Sequence, residues 1–193
     1  MRIGIFGGSF NPIHNGHISL ARQLLEAAAL DEVWFVVSPH NPLKAEQGLL
    51  PDGDRLEMVE EALSEEPGMK ASDCEFHLPR PSYTQHTLEV LQQEYPQYQF
   101  ILLIGADNWL CFSRWRGHAE ILRQHEIVVY PRQGYDVDVA QLPANVRLVD
   151  TKLLNVSSTQ VRKLVKDGKA ITGIVPPCVE KYMEKYRKSS NMQ

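Results

Sequence analysis

The sequence predicts an α/β fold, a doubly wound and mainly parallel sheet with helices on both faces. Continuous apolar runs of strand length recur, at Val33–Ser38 (VWFVVS), Phe100–Ile104 (FILLI) and Ile127–Tyr130 (IVVY). Strands apolar on both sides belong to sheets that are covered on both sides. Segments with helical spacing of apolar residues separate these runs, the alternation that builds βαβ units. Right-handed crossovers then give the doubly wound sheet, and in such sheets ligands sit beyond the carboxyl ends of the strands.

In chain order, Arg2–Phe6 reads as the first strand, and Ile18, Ala21, Leu25 and Ala28 mark one face of the first helix. Val33–Ser38 is the second strand. Leu56, Val59 and Leu63 give Arg55–Leu63 helical spacing. Cys74–Leu78 reads as a strand, and Thr84–Tyr95 as a helix stopped by Pro96. Phe100–Ile104, Ile127–Tyr130 and a shorter run, Val146–Val149, complete the strands, with Asp136–Asn145 a surface loop. Ser157–Lys166 and Pro176–Tyr186 are helices, expected to pack against the sheet edge, and the polar tail Lys188–Gln193 is expected to fray. The whole of 1–193 reads as one domain, with a helical C-terminal portion at about 155–187.

Composition narrows the function. A chain of 193 residues, 43% hydrophobic and 23% charged, is ordinary globular protein and neither disordered nor a disulfide scaffold. Its formal charge of −4 argues against nucleic-acid binding through bulk basicity. Three scattered cysteines (Cys74, Cys111, Cys178) fit buried thiols in a reducing compartment and match no zinc spacing. With neither a signal-peptide pattern nor an apolar run of about twenty residues, the expectation is a cytoplasmic protein with no membrane partner.

Two segments carry the chemistry. Gly7-Gly8-Ser9-Phe10-Asn11-Pro12-Ile13-His14-Asn15-Gly16-His17 joins the first strand to the first helix. Paired glycines let the backbone approach a ligand closely, and a helix start aims free N–H groups and partial positive charge at a phosphate. The spacing is neither the GxGxxG fingerprint nor a P-loop. Near the other end, Ser157-Ser158-Thr159-Gln160-Val161-Arg162 again opens a helix. A capping box between Ser157 and Gln160 accounts for two of these residues. Successive hydroxyls followed one turn on by a guanidinium make a phosphate clamp.

Gly7–His17, with its His14-x-Gly16-His17 end, resembles the first signature of the nucleotidyltransferase superfamily, and Ser157–Arg162 resembles the second. The order and total length match as well. The resemblance implies that His14 and His17 contact the triphosphate and that Ser157, Ser158, Thr159 and Arg162 hold its β and γ phosphates. The middle of the chain (Pro39–Lys44, Ser82-Tyr83-Thr84, Ile104–Trp109, Trp115, Tyr130-Pro131-Arg132) and the terminal Gly173–Tyr182 are similar to bacterial nicotinate mononucleotide adenylyltransferases.

That resemblance implies adenylyl transfer from ATP to nicotinate mononucleotide, giving deamido-NAD and pyrophosphate, with His14, His17, Lys44 and Arg162 catalytic. The expected ATP site is Gly7, Gly8, Ser9, Phe10, His14, His17, Gly105, Asp107, Arg132, Ser157, Ser158, Thr159 and Arg162. The expected acceptor site is Asn11, Lys44, Tyr83, Thr84 and Trp115. Mg²⁺ would bind mainly through ATP phosphates, with no protein metal site. Simpler readings stay open: Asp107 or Thr84 as a helix cap, Trp115 in a helix groove, Lys44 as a solvated lysine, Arg132 over the adenine or in solvent. So do other acceptors (nicotinamide mononucleotide, phosphopantetheine), a non-catalytic nucleotide sensor on the same scaffold, and an oligomer.

Overall fold

Each apolar run expected to be a buried strand is one. The computed structural model describes residues 1–39, 49–152 and 154–190. Six strands, β1 (Arg2–Gly8), β2 (Glu32–Val37), β3 (Met69–Ser72), β4 (Gln99–Gly105), β5 (Glu126–Tyr130) and β6 (Val146–Leu148), form one sheet in the order β3-β2-β1-β4-β5-β6. All neighbours pair in parallel. The helices are α1 (Asn15–Ala27), α2 (Asp52–Leu63), α3 (Thr84–Glu94), α4 (Ala106–Leu110), α5 (His118–Gln124), α6 (Ser158–Lys166) and α7 (Pro177–Ser190).

The two-residue period of a strand sends alternate side chains into two separate cores. Phe6, Phe35, Val37, Ile101, Leu103 and Val128 meet Leu24 of α1, Met58 of α2, Val161 of α6, and Val179 and Met183 of α7. Ile5, Trp34, Val36, Phe100, Leu102, Ile104 and Val129 meet Leu88 and Leu91 of α3 and Ile121 of α5. Removing each such side chain from water is worth about 1.5–3 kcal/mol. Between β1 and β4 the strand order reverses, so the loops leaving these two strands diverge and open a crevice at their carboxyl ends.

Three expectations need correction. Cys74–Leu78 is not a strand: Cys74–His77 is a short 3-10 turn, and the edge strand is Met69–Ser72. The tight turn brings the buried Glu75 carboxylate within reach of the Ser82 and Thr87 hydroxyls. The C-terminal helices do not sit at the sheet edge; α6 and α7 share the core of the α1–α2 face, where their apolar stripe finds more surface to bury. Helix α7 runs on to Ser190, past the expected end at Tyr186, and residues 191–193 of the expected tail lie outside the described residues.

Candidate active site

The loop leaving β1 is shaped by what packs beneath it. Gly7 is exposed, and a Cβ there would meet nothing within 4 Å, whereas one on Gly8 would stand 2.9 Å from the Phe10 ring. Phe10 has a φ of 41° and is buried, its ring edge-on to that of His17 at 5.1 Å between centroids. Its side chain is therefore a core residue, and only its backbone remains to meet a nucleotide. His14 caps α1, and its N–H donates to Nδ1 of His17 at 3.3 Å. With Nδ1 accepting, neutral His17 carries its proton on Nε2. The two imidazoles stack at 3.6 Å between centroids. Burial, with the charge of Arg132 adding to it, pulls the His14 imidazole down to about 4, so this ring is neutral at pH 7. Its buried Nδ1 has no hydrogen-bond partner.

The two ends of the chain meet at this loop. Ser158 Oγ donates to the Pro12 carbonyl at 2.9 Å, and Arg162 Nη1 to the Asn11 carbonyl at 2.7 Å. The first N–H of α1, on Asn15, donates to the Ile174 carbonyl at 3.0 Å, and the Asn15 side chain to that of Gly173 at 2.9 Å. Gly16 is glycine because Val156, just before the second motif, occupies the space: a Cβ would come within 2.7 Å of Val156 Cγ1 and 3.0 Å of His14 Nδ1. Ser157 caps α6 by accepting the Gln160 N–H at 3.2 Å, and Thr159 Oγ1 accepts from Arg162 Nη2 at 3.2 Å. A hydroxyl that accepts keeps its proton to donate, so Ser157 and Thr159 each retain a donor. Ser158 differs, because its proton is committed to Pro12.

Beside the β1 exit, the chain leaving β4 turns straight into α4. Gly105 is the N-cap and Asp107 lies in the first turn, 3.6 Å from Arg132 Nε. Asp107 is thus not the cap itself, and its buried Oδ1 has no hydrogen-bond partner. A Cβ on Gly105 would collide with this pair.

A cavity of about 320 Å³ opens at the same end of the sheet, reached by Gly7, Gly8, Ser38, Ile104, Asn108 and Tyr130. Ser82, Tyr83, Thr84 and Trp115 line it, as do Glu75, Arg114 and Arg116, which sequence reasoning missed. Tyr83 caps α3, leaving Thr84 at its first position with an N–H that has no partner within the helix. Arg116 stacks over Tyr83, 4.8 Å from the ring centre, and the Trp115 indole Nε1 is buried without a partner. Asn11 stands apart from the cavity lining; its Oδ1 accepts the Leu50 N–H at 3.1 Å. Lys44 lies outside the described residues.

Among the described residues, no group of three or more His, Cys, Asp or Glu side chains could hold a metal ion. The donors at the β1 exit are N–H groups, imidazoles, hydroxyls and a guanidinium. They complement phosphate oxygens, and a divalent cation held mainly by a ligand's own phosphates would be compatible with them.

A model of the cytidylyltransferase-like family matches residues 5–164, a span that contains both motifs. The chain belongs to this family. Within it the chain falls among the nicotinate-nucleotide adenylyltransferases. A probable nicotinate-nucleotide adenylyltransferase of Bacteroides fragilis is 51% identical over 93% of this chain and 90% of its own length. One of Bacteroides thetaiotaomicron is 47% identical over 98% and 94%. The family fold is the one described above. A Plasmodium falciparum nicotinic acid mononucleotide adenylyltransferase solved with NaAD superposes with a TM-score of 0.80 at 20% identity, covering 96% of this chain and 95% of that one. Among the described residues, no helix is long and apolar enough to cross a membrane.

Proposed function

We propose that this chain transfers the adenylyl group of ATP to nicotinate mononucleotide, releasing pyrophosphate and giving deamido-NAD. The observation that carries this reading is the junction of the two motifs, Ser158 on Pro12 and Arg162 on Asn11, which brings the amino ends of α1 and α6 to one loop. Each helix end carries about half a positive charge, so two of them beside a guanidinium favour a polyphosphate.

A phosphate oxygen of the mononucleotide forms a bond to the α-phosphorus while the bond to the bridging oxygen breaks, and pyrophosphate leaves with the electron pair. Such a reaction needs alignment and charge neutralisation more than covalent help. His17 Nε2–H and the Gly7–Gly8 backbone face the phosphates around the reacting centre. His14 is neutral, so it contributes hydrogen bonding and orients His17 rather than adding charge. Arg162, Ser157 and Thr159 hold the leaving end, and Ser158 holds the loop itself. Asp107 and Arg132 lie toward the nucleoside, and Mg²⁺, when bound on the phosphates, would add to the neutralisation of the leaving group.

The acceptor enters the aromatic cavity, with Trp115 and Tyr83 against the pyridine ring and the Thr84 N–H toward its carboxylate. Arg114 and Arg116 outnumber Glu75, whose oxygens are already bonded by Ser82 and Thr87, so the lining favours an acid over an amide. Three free thiols support a reducing, cytoplasmic setting. Turnover measured side by side on nicotinate mononucleotide, nicotinamide mononucleotide and phosphopantetheine, read as pyrophosphate, tests the reading. Nicotinate mononucleotide is expected to react fastest, and preference for either of the others would reassign the acceptor.

A further inference from the structure

Arg55 in α2 is the largest fully buried side chain in the molecule's described part, at 0% exposure. A buried guanidinium is costly unless every N–H finds an acceptor and the charge finds a counter-ion. Here the five N–H groups meet five acceptors. Nε donates to the Leu50 carbonyl at 3.0 Å, and Nη1 to those of Ser9 at 2.6 Å and Ser38 at 2.8 Å. Nη2 donates to the Pro39 carbonyl at 3.3 Å and to Asp52 Oδ1 at 2.6 Å.

The partners come from places that matter for a two-substrate reaction. Ser9 belongs to the loop that carries Asn11 and leads through His14 into α1, which bears His17. Ser38 and Pro39 leave β2, and Ser38 lines the acceptor cavity. The other oxygen of Asp52 accepts from Arg80 at 2.8 Å. Arg80 stands two residues before Ser82, where the Ser82-Tyr83-Thr84 wall of the cavity begins. A continuous path thus runs from the phosphate loop through Arg55, Asp52 and Arg80 to the acceptor wall.

We propose that Arg55 is a positioning residue, which through Asp52 and Arg80 fixes the spacing between the triphosphate loop and the acceptor cavity. The inference rests on the function proposed above. It touches neither substrate; its effect is on how often the two phosphates stand in line. Lysine would keep the charge, but its three donors radiate from one nitrogen and cannot meet five acceptors in a plane.

The test uses the full chain carrying Arg55→Lys, Asp52→Asn or Arg80→Gln, each assayed well below its own melting temperature. Under Arg55→Lys, kcat is expected to fall about 100-fold, the cost of roughly 1 Å of misalignment. The affinity for ATP or nicotinate mononucleotide bound alone is expected to change by less than about threefold, because the loss arises in the transition state. Arg80 is 58% exposed, so Arg80→Gln should lower kcat by at most about fivefold, with the fold unchanged. A merely structural Arg55 would give a lower melting temperature with wild-type kcat, and that result overturns the proposal. So does a loss confined to ATP affinity with kcat retained at saturation. Should Arg55→Lys fail to fold, Asp52→Asn carries the same expectation, and wild-type kcat there overturns it.

Amide exchange separates this proposal from the function on which it rests. If the wild type makes no product from nicotinate mononucleotide, that function fails. The spacing claim is then still read in Arg55→Lys: the amides of Leu50, bonded to Asn11, and Thr87, bonded to Tyr83, must lose protection together, and loss at only one of them overturns it.

Discussion

Gly16 offers the sharpest perturbation, because a single methyl group placed there strikes both halves of the site. Its Cβ would lie 2.7 Å from Val156 Cγ1 and 3.0 Å from His14 Nδ1. Carbon contacts ordinarily settle at about 3.5–4.0 Å, so close to 1 Å must be found on the Val156 side. Overpacking of this kind costs about 1–3 kcal/mol, while alanine gains at most about 1 kcal/mol over glycine in a helix. Gly16→Ala is therefore expected to lose on the order of 1–2 kcal/mol in urea unfolding. Where Val156 gives way, Ser157 and the start of α6 move with it, and turnover should fall about 100-fold.

Val156→Ala removes the methyls that collide, so the double variant should recover part of both losses, with a coupling of about 1 kcal/mol or more. Gly7→Ala is the control. A Cβ there meets nothing, so its stability should stay within about 0.5 kcal/mol of the wild type while the new methyl narrows the cavity and weakens substrate binding. Wild-type stability and turnover in Gly16→Ala, or no coupling with Val156→Ala, would refute the contact between the two motifs.

Three further outcomes follow from the same geometry. The His14 imidazole, held near 4 in the fold against about 6.5 unfolded, contributes stability above pH 6.5 that is lost as the pH falls from there toward 4. His14→Gln should flatten that part of the urea-midpoint profile, by on the order of 3 kcal/mol at most. Ser82→Ala takes one of two hydroxyls from the buried Glu75 carboxylate and should cost about 1–3 kcal/mol in thermal unfolding, with a raised KM for the mononucleotide alone. Trp115→Ala should raise the KM for the mononucleotide at least about fivefold without altering ATP affinity, the stacking loss being about 1–3 kcal/mol by analogy with base–aromatic contacts; an unchanged KM would remove Trp115 from the acceptor site.

Much of the fold could be read from the chain because its strands are buried on both faces. Runs such as Phe100–Ile104 carry that burial in their composition, and α6 declared its start through the Ser157 cap. The edge strand Met69–Ser72 was hidden because one side of an edge is wet, and Lys70 and Ser72 dilute its apolar signal. Helix α5 escaped notice because it buries only Ile121. At the site, the two signature loops were legible because glycines, histidines and hydroxyls cluster within a few residues of a helix start. Arg55, Glu75, Arg114 and Arg116 were not. Arg55 reads as an ordinary helix residue, and its acceptors lie on three separated segments that only the folded chain brings together. Glu75 sits in an irregular turn, where no period marks it as buried. The Ser158 hydroxyl was legible as a phosphate ligand, yet its partner is the Pro12 carbonyl, 146 residues away.

The most direct measurement is a crystal structure with a non-hydrolysable ATP analogue and Mg²⁺. The triphosphate should lie between the His17 imidazole and the first turn of α6, touching Arg162 and backbone N–H groups of the β1 exit loop. Phosphates seated elsewhere, with no contact to either motif, would contradict the account.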